Sequence, residues 1–331
     1  MTWLEEAFRG VPVLVTGGYG FIGSNLVRRL VTLGAQVAVV DAFVPDSGAN
    51  RFNLAGLEQV VAIHVVDMAD EDAMREPVQD RAFVFNLAGQ VSHVDSLRDP
   101  YGDLRANCHA QLGLLEACRK HAPRARVVFA GTRQQYGRPE YLPVDEGHPL
   151  CPTDINGIHK VAAESYHLLY ARLYGLRATS LRLTNTYGPG QLMRHGRRGF
   201  VPWLIRLAIE GRELQIFGDG RQVRDFTYVD DAVEAFLCAA VRPEADGEVF
   251  NLGGERPYSL LEFVDILFDV VGGGSYVCVP FPEDRRQIDV GSYYADISKI
   301  KKALGWQPAV PLADGLRRTV EYYRRHRAHF W

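Results

Sequence analysis

The sequence predicts an α/β chain folded on a doubly wound parallel sheet, and three observations predict it. Strand-like apolar runs alternate with stretches of helical spacing, a glycine-rich turn joins the first run to the first helix, and an acidic residue closes the second run. Val11–Val15 is the first apolar run. Thr16-Gly17-Gly18-Tyr19-Gly20-Phe21-Ile22-Gly23 follows at once, and Ser24–Leu33 sets Leu26, Val27, Leu30 and Leu33 at helical spacing. Val37–Val40 then ends in Asp41. Further strands are expected at Val60–Val66, Phe83–Leu87, Arg126–Ala130 and Ala178–Leu183, with long helices over Asp103–Lys120 and Lys160–Leu173. From Tyr187 the texture changes to short strands, Gly/Pro turns and helices over Asp231–Ala240, Ser259–Val271 and Ser298–Leu304. The expected division is a main domain over 1–186 and a smaller C-terminal α/β lobe over 187–331, some segments of which return to the main sheet.

A strand, glycine turn and helix in this order aim backbone N–H groups and the positive end of a helix dipole at one point, which suits a diphosphate. Gly17 allows the tight turn, Gly20 lets a ligand approach the backbone, and Gly23 lets helix and strand pack closely. Asp41 lies 18 residues beyond Gly23, near the spacing of about 20 at which a carboxylate accepts ribose hydroxyls of a dinucleotide. Its charge would repel a 2′-phosphate, so the reading is NAD rather than NADP. Arg51 is the nearby cation that would argue the other way.

At 331 residues, 47% hydrophobic and 23% charged, the chain has material for a large core. A net charge of −3, from 37 basic and 40 acidic residues, gives no general attraction to nucleic acid or anionic membrane. Local basic clusters at Arg194–Arg198 and Arg324–Arg327 form no stripe with interleaved aromatics, so no nucleic-acid partner is expected. Cys108, Cys118, Cys151, Cys238 and Cys278 are scattered without a C-x-x-C pair, which reads as reduced thiols and no metal site. Met1–Gly10 carries Glu5 and Glu6 and no apolar core of a secretory signal. No apolar run approaches the roughly 18 residues of a membrane span. The expected location is cytoplasmic.

Further motifs converge on one family. Asn86-Leu87-Ala88-Gly89 follows a strand, and Gly131-Thr132 with Tyr136-Gly137 follows another. Lys160 opens a helix, and Arg182-Leu183-Thr184-Asn185-Thr186-Tyr187-Gly188-Pro189 closes the strand part. Phe217-Gly218-Asp219-Gly220, Arg224-Asp225-Phe226-Thr227-Tyr228-Val229-Asp230-Asp231, Ala295-Asp296-Ile297-Ser298-Lys299 and Leu304-Gly305-Trp306-Gln307-Pro308 carry the pattern almost to the end. Together they resemble the extended short-chain dehydrogenase/reductase family of nucleotide-sugar epimerases and dehydratases. The resemblance implies a Rossmann domain holding NAD and a nucleotide-sugar substrate. Its cofactor residues would be Gly17, Gly20, Phe21, Ile22, Gly23, Asp41, Asp67 beside the adenine, Met68, Leu87, Ala88, Gly89, Asn107 and Lys160. Thr132 would bond the sugar hydroxyl being oxidised, Asn185, Arg224 and Arg286 would meet the sugar diphosphate, and Lys160 would hold the nicotinamide ribose.

The family's tyrosine base, one helical turn before this lysine, falls on Asn156. A tyrosine titrating near 10 must drop by about 3 units, roughly 4 kcal/mol, to serve near neutrality. An amide cannot serve at all, although it can orient a hydroxyl by hydrogen bonding. Tyr136, Tyr166, Tyr187, His93 and Asp95 are the candidate substitutes. His159 is expected to point elsewhere, since helix neighbours diverge by about 100°. Where family dehydratases carry Asp-Glu after the threonine, and many decarboxylases a Glu at the second position, this chain has Arg133-Gln134. Epimerisation at C4 through a 4-keto sugar is therefore the expected activity. The alternatives are a dehydratase or decarboxylase with a non-standard base, or a decayed nucleotide-sugar and NAD binder. Arg133 suits an anionic group at C6 of the sugar. Helix faces around Leu112–Leu115 and Leu168–Leu169 would form a homodimer, or else pack on the sheet of a monomer.

Overall fold

In the computed structural model, β1 (Pro12–Thr16), β2 (Gln36–Val40), β3 (Ala62–His64), β4 (Phe83–Asn86), β5 (Arg126–Thr132) and β6 (Arg177–Leu183) lie parallel in one sheet. The strand Val249–Asn251 joins them beside β6, so the order runs Val249–Asn251, β6, β5, β4, β1, β2, β3. The structure describes residues 3–331 except Asp46, His195, Arg197 and Arg198, and excludes the side chains of Asp284 and Arg285. Most of the basic run Arg194–Arg198, with Met1 and Thr2 of the N-terminal segment, thus lies outside the described residues.

The two-residue period of a strand sends alternate side chains to opposite faces. Val13 and Val15 of β1 enter one core with Phe8 of α1 (Trp3–Phe8), Leu26, Val27 and Leu30 of α2 (Phe21–Thr32), and the helix Val229–Val241. Leu14 enters the other, with Met74 and Val78 of α3 (Glu71–Val78) and Leu114, Leu115 and Cys118 of α6 (Ala110–His121). Burial on both faces explains why these strands read as continuous apolar runs.

Two of the expected helices differ in detail. Asp103–Lys120 is not one helix but α5 (Pro100–Leu104), a π-turn over Arg105–His109, and α6. A π-turn inserts one residue per turn, which apolar spacing cannot register, and such turns gather at functional sites. Lys160 does not open its helix. That helix, α7 (Ile155–Tyr174), begins a turn earlier because Asp154 caps it, its carboxylate accepting the Gly157 N–H at 2.7 Å. Apolar spacing begins only at Val161 and misses that polar first turn. Between β4 and α5 lies the short helix α4 (His93–Arg98).

The C-terminal half builds a second core around Phe226, Phe263, Leu267, Leu316, Tyr323 and Phe330. Its own small sheets pair Asn185–Tyr187 with Phe226–Tyr228 and Leu214–Phe217 with Tyr276–Val279. Leu115 is fully buried against the sheet and Leu112 partly so, whereas Leu169 is exposed. No helix among the described residues is long and apolar enough to cross a membrane. The strand order reverses between β1 and β4, and a doubly wound sheet opens its crevice at the carboxyl ends of such a pair.

Candidate active site

That crevice is a cleft of about 440 Å³. Of the residues expected to hold a cofactor, Gly17, Gly20, Asp41, Asp67, Met68, Leu87, Ala88 and Gly89 line it. Gly17 has φ +67°, and a Cβ there would stand 2.9 Å from the Ala88 nitrogen. A Cβ on Gly23 would stand 2.2 Å from the Gly17 carbonyl oxygen, so both glycines are required by contact. Phe21 and Ile22 open α2, which no side chain caps, so its first N–H groups are left to a ligand. The Thr16 hydroxyl donates to Asn86 at 3.0 Å and accepts the Ala88 N–H at 3.2 Å, tying the end of β1 to the end of β4.

Asp41 closes β2 and accepts N–H groups from Tyr19 at 3.1 Å and Phe43 at 3.0 Å. Burial raises the pKa of its carboxyl, against the pull of those two donors. The Arg51 guanidinium lies over the Phe43 ring. Asp67 accepts from Ala69 N–H at 2.9 Å and Arg105 at 2.8 Å. Burial acts to raise its pKa, but the Ala69 N–H and Arg105 outweigh it and leave the pKa lowered.

The floor beyond Gly89 is a buried polar cluster. A Cβ on Gly89 would fall 2.6 Å from Asn107 Oδ1 and 3.1 Å from Lys160 Nζ, so both side chains close over this glycine. Asn107 sits on the π-turn, and its Oδ1 is buried without a partner. Asn156 gives its amide hydrogens to Gln90 O and Asp103 Oδ2, each at 2.9 Å. Asn107 bonds the same two residues, and His159 Nδ1 lies 2.7 Å from Asp103 Oδ1. His159 thus faces Asp103, whose charge also acts on Lys160, while Asn156 spends its donors inside the protein. Burial lowers the Lys160 pKa to about 8, with the Asp103 charge opposing.

Thr132 ends β5, its hydroxyl accepting the Gln134 N–H at 3.3 Å while Gln135 returns a bond to the Thr132 N–H at 2.9 Å. Beside it two guanidiniums stand together. Arg133 Nη2 reaches Asn185 Oδ1 at 3.4 Å, its cation lies over the Tyr293 ring, and its Nη1 is buried without a partner. Arg224 bonds the carbonyls of Val223 and Gly291 and sits 3.5 Å from Asp289 Oδ1, with Nε unpartnered. Burial first, and then the Arg133 charge, lowers the Arg224 pKa to about 9. Asp225 Oδ1 and the Tyr293 hydroxyl are also buried and unpartnered, and burial lifts the Asp225 pKa to about 6. Unanswered buried donors are costly, and two facing guanidiniums form a ready receptor for an anion. Arg286 is exposed in an adjoining hollow with Arg138, which binds the carbonyls of Arg286 and Asp289. Asp289 thereby links Arg286 to Arg224.

Gln90, Asp103, Asp154, Asp225 and Tyr293 were not among the expected site residues. Asp225 adjoins Arg224 within a motif already singled out, whereas the others carry no local signal. The glycine cradle, the free helix N-terminus, the Asp41 carboxylate and the unpartnered Asn107 fit a dinucleotide, and the paired arginines fit a second phosphorylated ligand.

Known proteins resemble the chain over nearly its whole length. The chain is similar to the UDP-glucose 4-epimerase of Mycolicibacterium smegmatis, 34% identical over 313 residues that cover 94% of this chain and 98% of the relative. It is also similar to the dTDP-glucose 4,6-dehydratase of Streptomyces griseus, 34% identical over 324 residues, covering 96% and 95%. The crystal structure of a UDP-glucose 4-epimerase from Thermotoga maritima with UDP-glucose matches at a TM-score of 0.85 and 35% identity, covering 96% of this chain and 99% of the other. Residues 13–253, from β1 through the last strand of the main sheet, match the family model for NAD dependent epimerases and dehydratases. The chain belongs to the NAD dependent epimerase/dehydratase family.

Proposed function

We propose that this protein epimerises a nucleotide-activated sugar, at C4 and through a transient 4-keto form. The observation that carries the reading is a backbone cradle suited to a dinucleotide whose Gly89 is covered by Lys160, on a sheet whose strand β5 ends in Thr132 directly before Arg133, which like Arg224 has an unanswered buried donor. When bound, NAD supplies a reversible acceptor for the hydrogen on the sugar carbon. Gly17, Gly20 and the α2 N-terminus would hold its phosphates, and Asp41 its adenosine ribose. Lys160 would hold the nicotinamide end, and Thr132 would polarise the sugar oxygen. Arg224, with Asn185, would clasp the diphosphate of the substrate, Arg286 its far side, and Arg133 beside them an anionic group at C6 of the sugar.

Arg133-Gln134 after Thr132 disfavours elimination, because neither side chain donates or accepts a proton at neutral pH. Gln134 is committed structurally, its amide donating to Asp154 at 3.2 Å. Two copies would pair through exposed Tyr101, Leu104, Ile158 and Leu173, which light scattering tests. Free buried thiols at Cys108, Cys118 and Cys238 suit a reducing, cytoplasmic setting. The functional test is proton NMR of UDP-glucose, UDP-galactose and their N-acetyl and uronic counterparts incubated with the NAD-loaded protein. Interconversion of a C4 pair supports the reading, whereas loss of water or carbon dioxide, or no turnover of any sugar, defeats it.

A further inference from the structure

Asn156 leaves the proton step without an owner, and of the candidates Asp95 lines the cleft with Arg98 3.9 Å from its carboxylate, while the three tyrosines are withdrawn into the protein. Tyr136 is fully buried, its hydroxyl donating to Asn251 at 2.6 Å and accepting from Arg182 at 2.7 Å. Burial pushes its pKa up to about 12, the wrong direction for a base. The Tyr187 hydroxyl is buried against the Leu312 carbonyl, and Tyr166 packs on the core beneath α6. Asp103 and His159 face one another behind Asn156, with the Asp103 side chain fully enclosed.

His93 is placed differently. It is the first residue of α4, directly after Gln90, Val91 and Ser92, all of which line the cleft. Its Nδ1 lies 2.9 Å from Asp154 Oδ2, while its side chain is 34% exposed and the Asp154 side chain has no exposure. The remainder of the Asp154 carboxylate accepts the Gly157 N–H and the Gln134 amide, so the carboxylate is fixed by α7 and by the turn after Thr132. Burial acts to raise the Asp154 pKa, but His93 and these donors outweigh it and keep the group ionised. Ser96 locks the pair from the other side. Its hydroxyl donates to the His93 carbonyl at 2.7 Å and accepts the Asn156 N–H at 3.2 Å, which pins α4 to the first turn of α7. His93 follows three residues that line the cleft without itself lining it, and a buried carboxylate 2.9 Å from one nitrogen of a partly exposed ring suits an oriented imidazole base.

Resting on the epimerase reading above, we infer that His93, held by Asp154, takes and returns the proton of the sugar hydroxyl. The O–H proton would pass to Nε2 and the electron pair of the broken O–H bond would become the second bond of the carbonyl, the NAD that the cleft would hold supplying the acceptor for the carbon's hydride. On return the imidazolium gives the same proton back to the oxygen. Asp154 is a positioning residue in this scheme.

The test has two arms. In the first, the His93 ring signal is followed by NMR in wild-type protein titrated with UDP-glucose or with UDP alone. A shift with UDP-glucose and none with UDP places the ring at the sugar, and no difference between the two overturns the proposal. In the second, His93→Gln and His93→Ala are compared with wild type for turnover and for calorimetric UDP-glucose affinity. Turnover is expected to fall about 10² to 10⁴-fold at unchanged affinity, and added imidazole to restore part of it in His93→Ala. Undiminished turnover in His93→Gln overturns the proposal. A sugar-specific NMR shift in a wild type that epimerises nothing supports the placement of the ring and defeats the epimerase reading instead.

Discussion

Lys160→Met tests the electrostatics of the site without reference to its activity. The ammonium of Lys160 is buried beside Gly89, 3.5 Å from the Ala130 carbonyl, and burial lowers its pKa from 10.5 to about 8 despite the Asp103 charge. At about 1.4 kcal/mol per pH unit, that drop corresponds to about 3 kcal/mol by which the folded state disfavours the charged form. Between pH 8 and 10.5 the unfolded chain keeps a proton that the folded chain has released, so wild-type stability rises with pH through this window. Below pH 8 both states are protonated and the full penalty stands. The methionine variant carries no such term. Urea unfolding of the cofactor-free protein is therefore expected to find Lys160→Met more stable at pH 7, by up to about 3 kcal/mol. The gap should close by about 2 kcal/mol between pH 7 and 9.5. Parallel pH curves for the two proteins, or a wild type more stable at pH 7, would refute the reasoning.

Gly23→Ala drives a Cβ to within 2.2 Å of the Gly17 carbonyl, so it should cost about 1 to 3 kcal/mol and abolish NAD binding, read by urea unfolding and fluorescence titration. Asn156→Ala removes one donor from the enclosed Asp103 carboxylate and one from the Gln90 carbonyl. A loss of about 1 to 3 kcal/mol in urea unfolding is expected, and an unchanged midpoint would free Asn156 from this scaffold role. Arg133→Ala should weaken a uronic nucleotide sugar more than its neutral counterpart by calorimetry, and equal effects on both would remove the C6 assignment of this cation.

Local chemistry made the first half of the fold legible. The glycine turn, the apolar runs and Asp41 each report on neighbours a few residues away, and the strands fell close to where their side chains demanded. The π-turn was hidden because Leu104, Cys108, Leu112 and Leu115 keep an acceptable helical rhythm across it. The early start of α7 was hidden because its cap depends on Asp154, which is also engaged with His93 of α4 and with Gln134 from the turn after Thr132. The return of Val249–Asn251 to the sheet is a matter of which edge of β6 was left open, and no local pattern records that. Among site residues, motif positions such as Thr132, Lys160, Asn185 and Arg224 could be named from sequence. Asp103, Asp154 and Tyr293 act through contacts 50 or more residues away in several cases, as with Asp103 and Asn156, and could not.

The distribution of anchors across the cleft bears on how a sugar could present either face. Arg224 is fixed by the Val223 and Gly291 carbonyls, and Asn185 by the Asp225 carbonyl, so the anion receptor is rooted in the C-terminal half. Thr132, His93 and Lys160 are rooted in the ends of β5 and β4 and in α7, on the main sheet. A nucleotide sugar gripped through its diphosphate would then be held at one end only, with its ring pivoting about the glycosidic bonds while the groups that act on it stay still. Epimerisation requires that combination, since a ring clamped on both sides could be oxidised but could not turn to be reduced on its other face. A reaction that ends in elimination has no such requirement and would profit from a tighter clamp. The buried guanidinium of Arg224, rooted in the C-terminal half apart from the rigid sheet groups, therefore favours inversion over loss of a substituent.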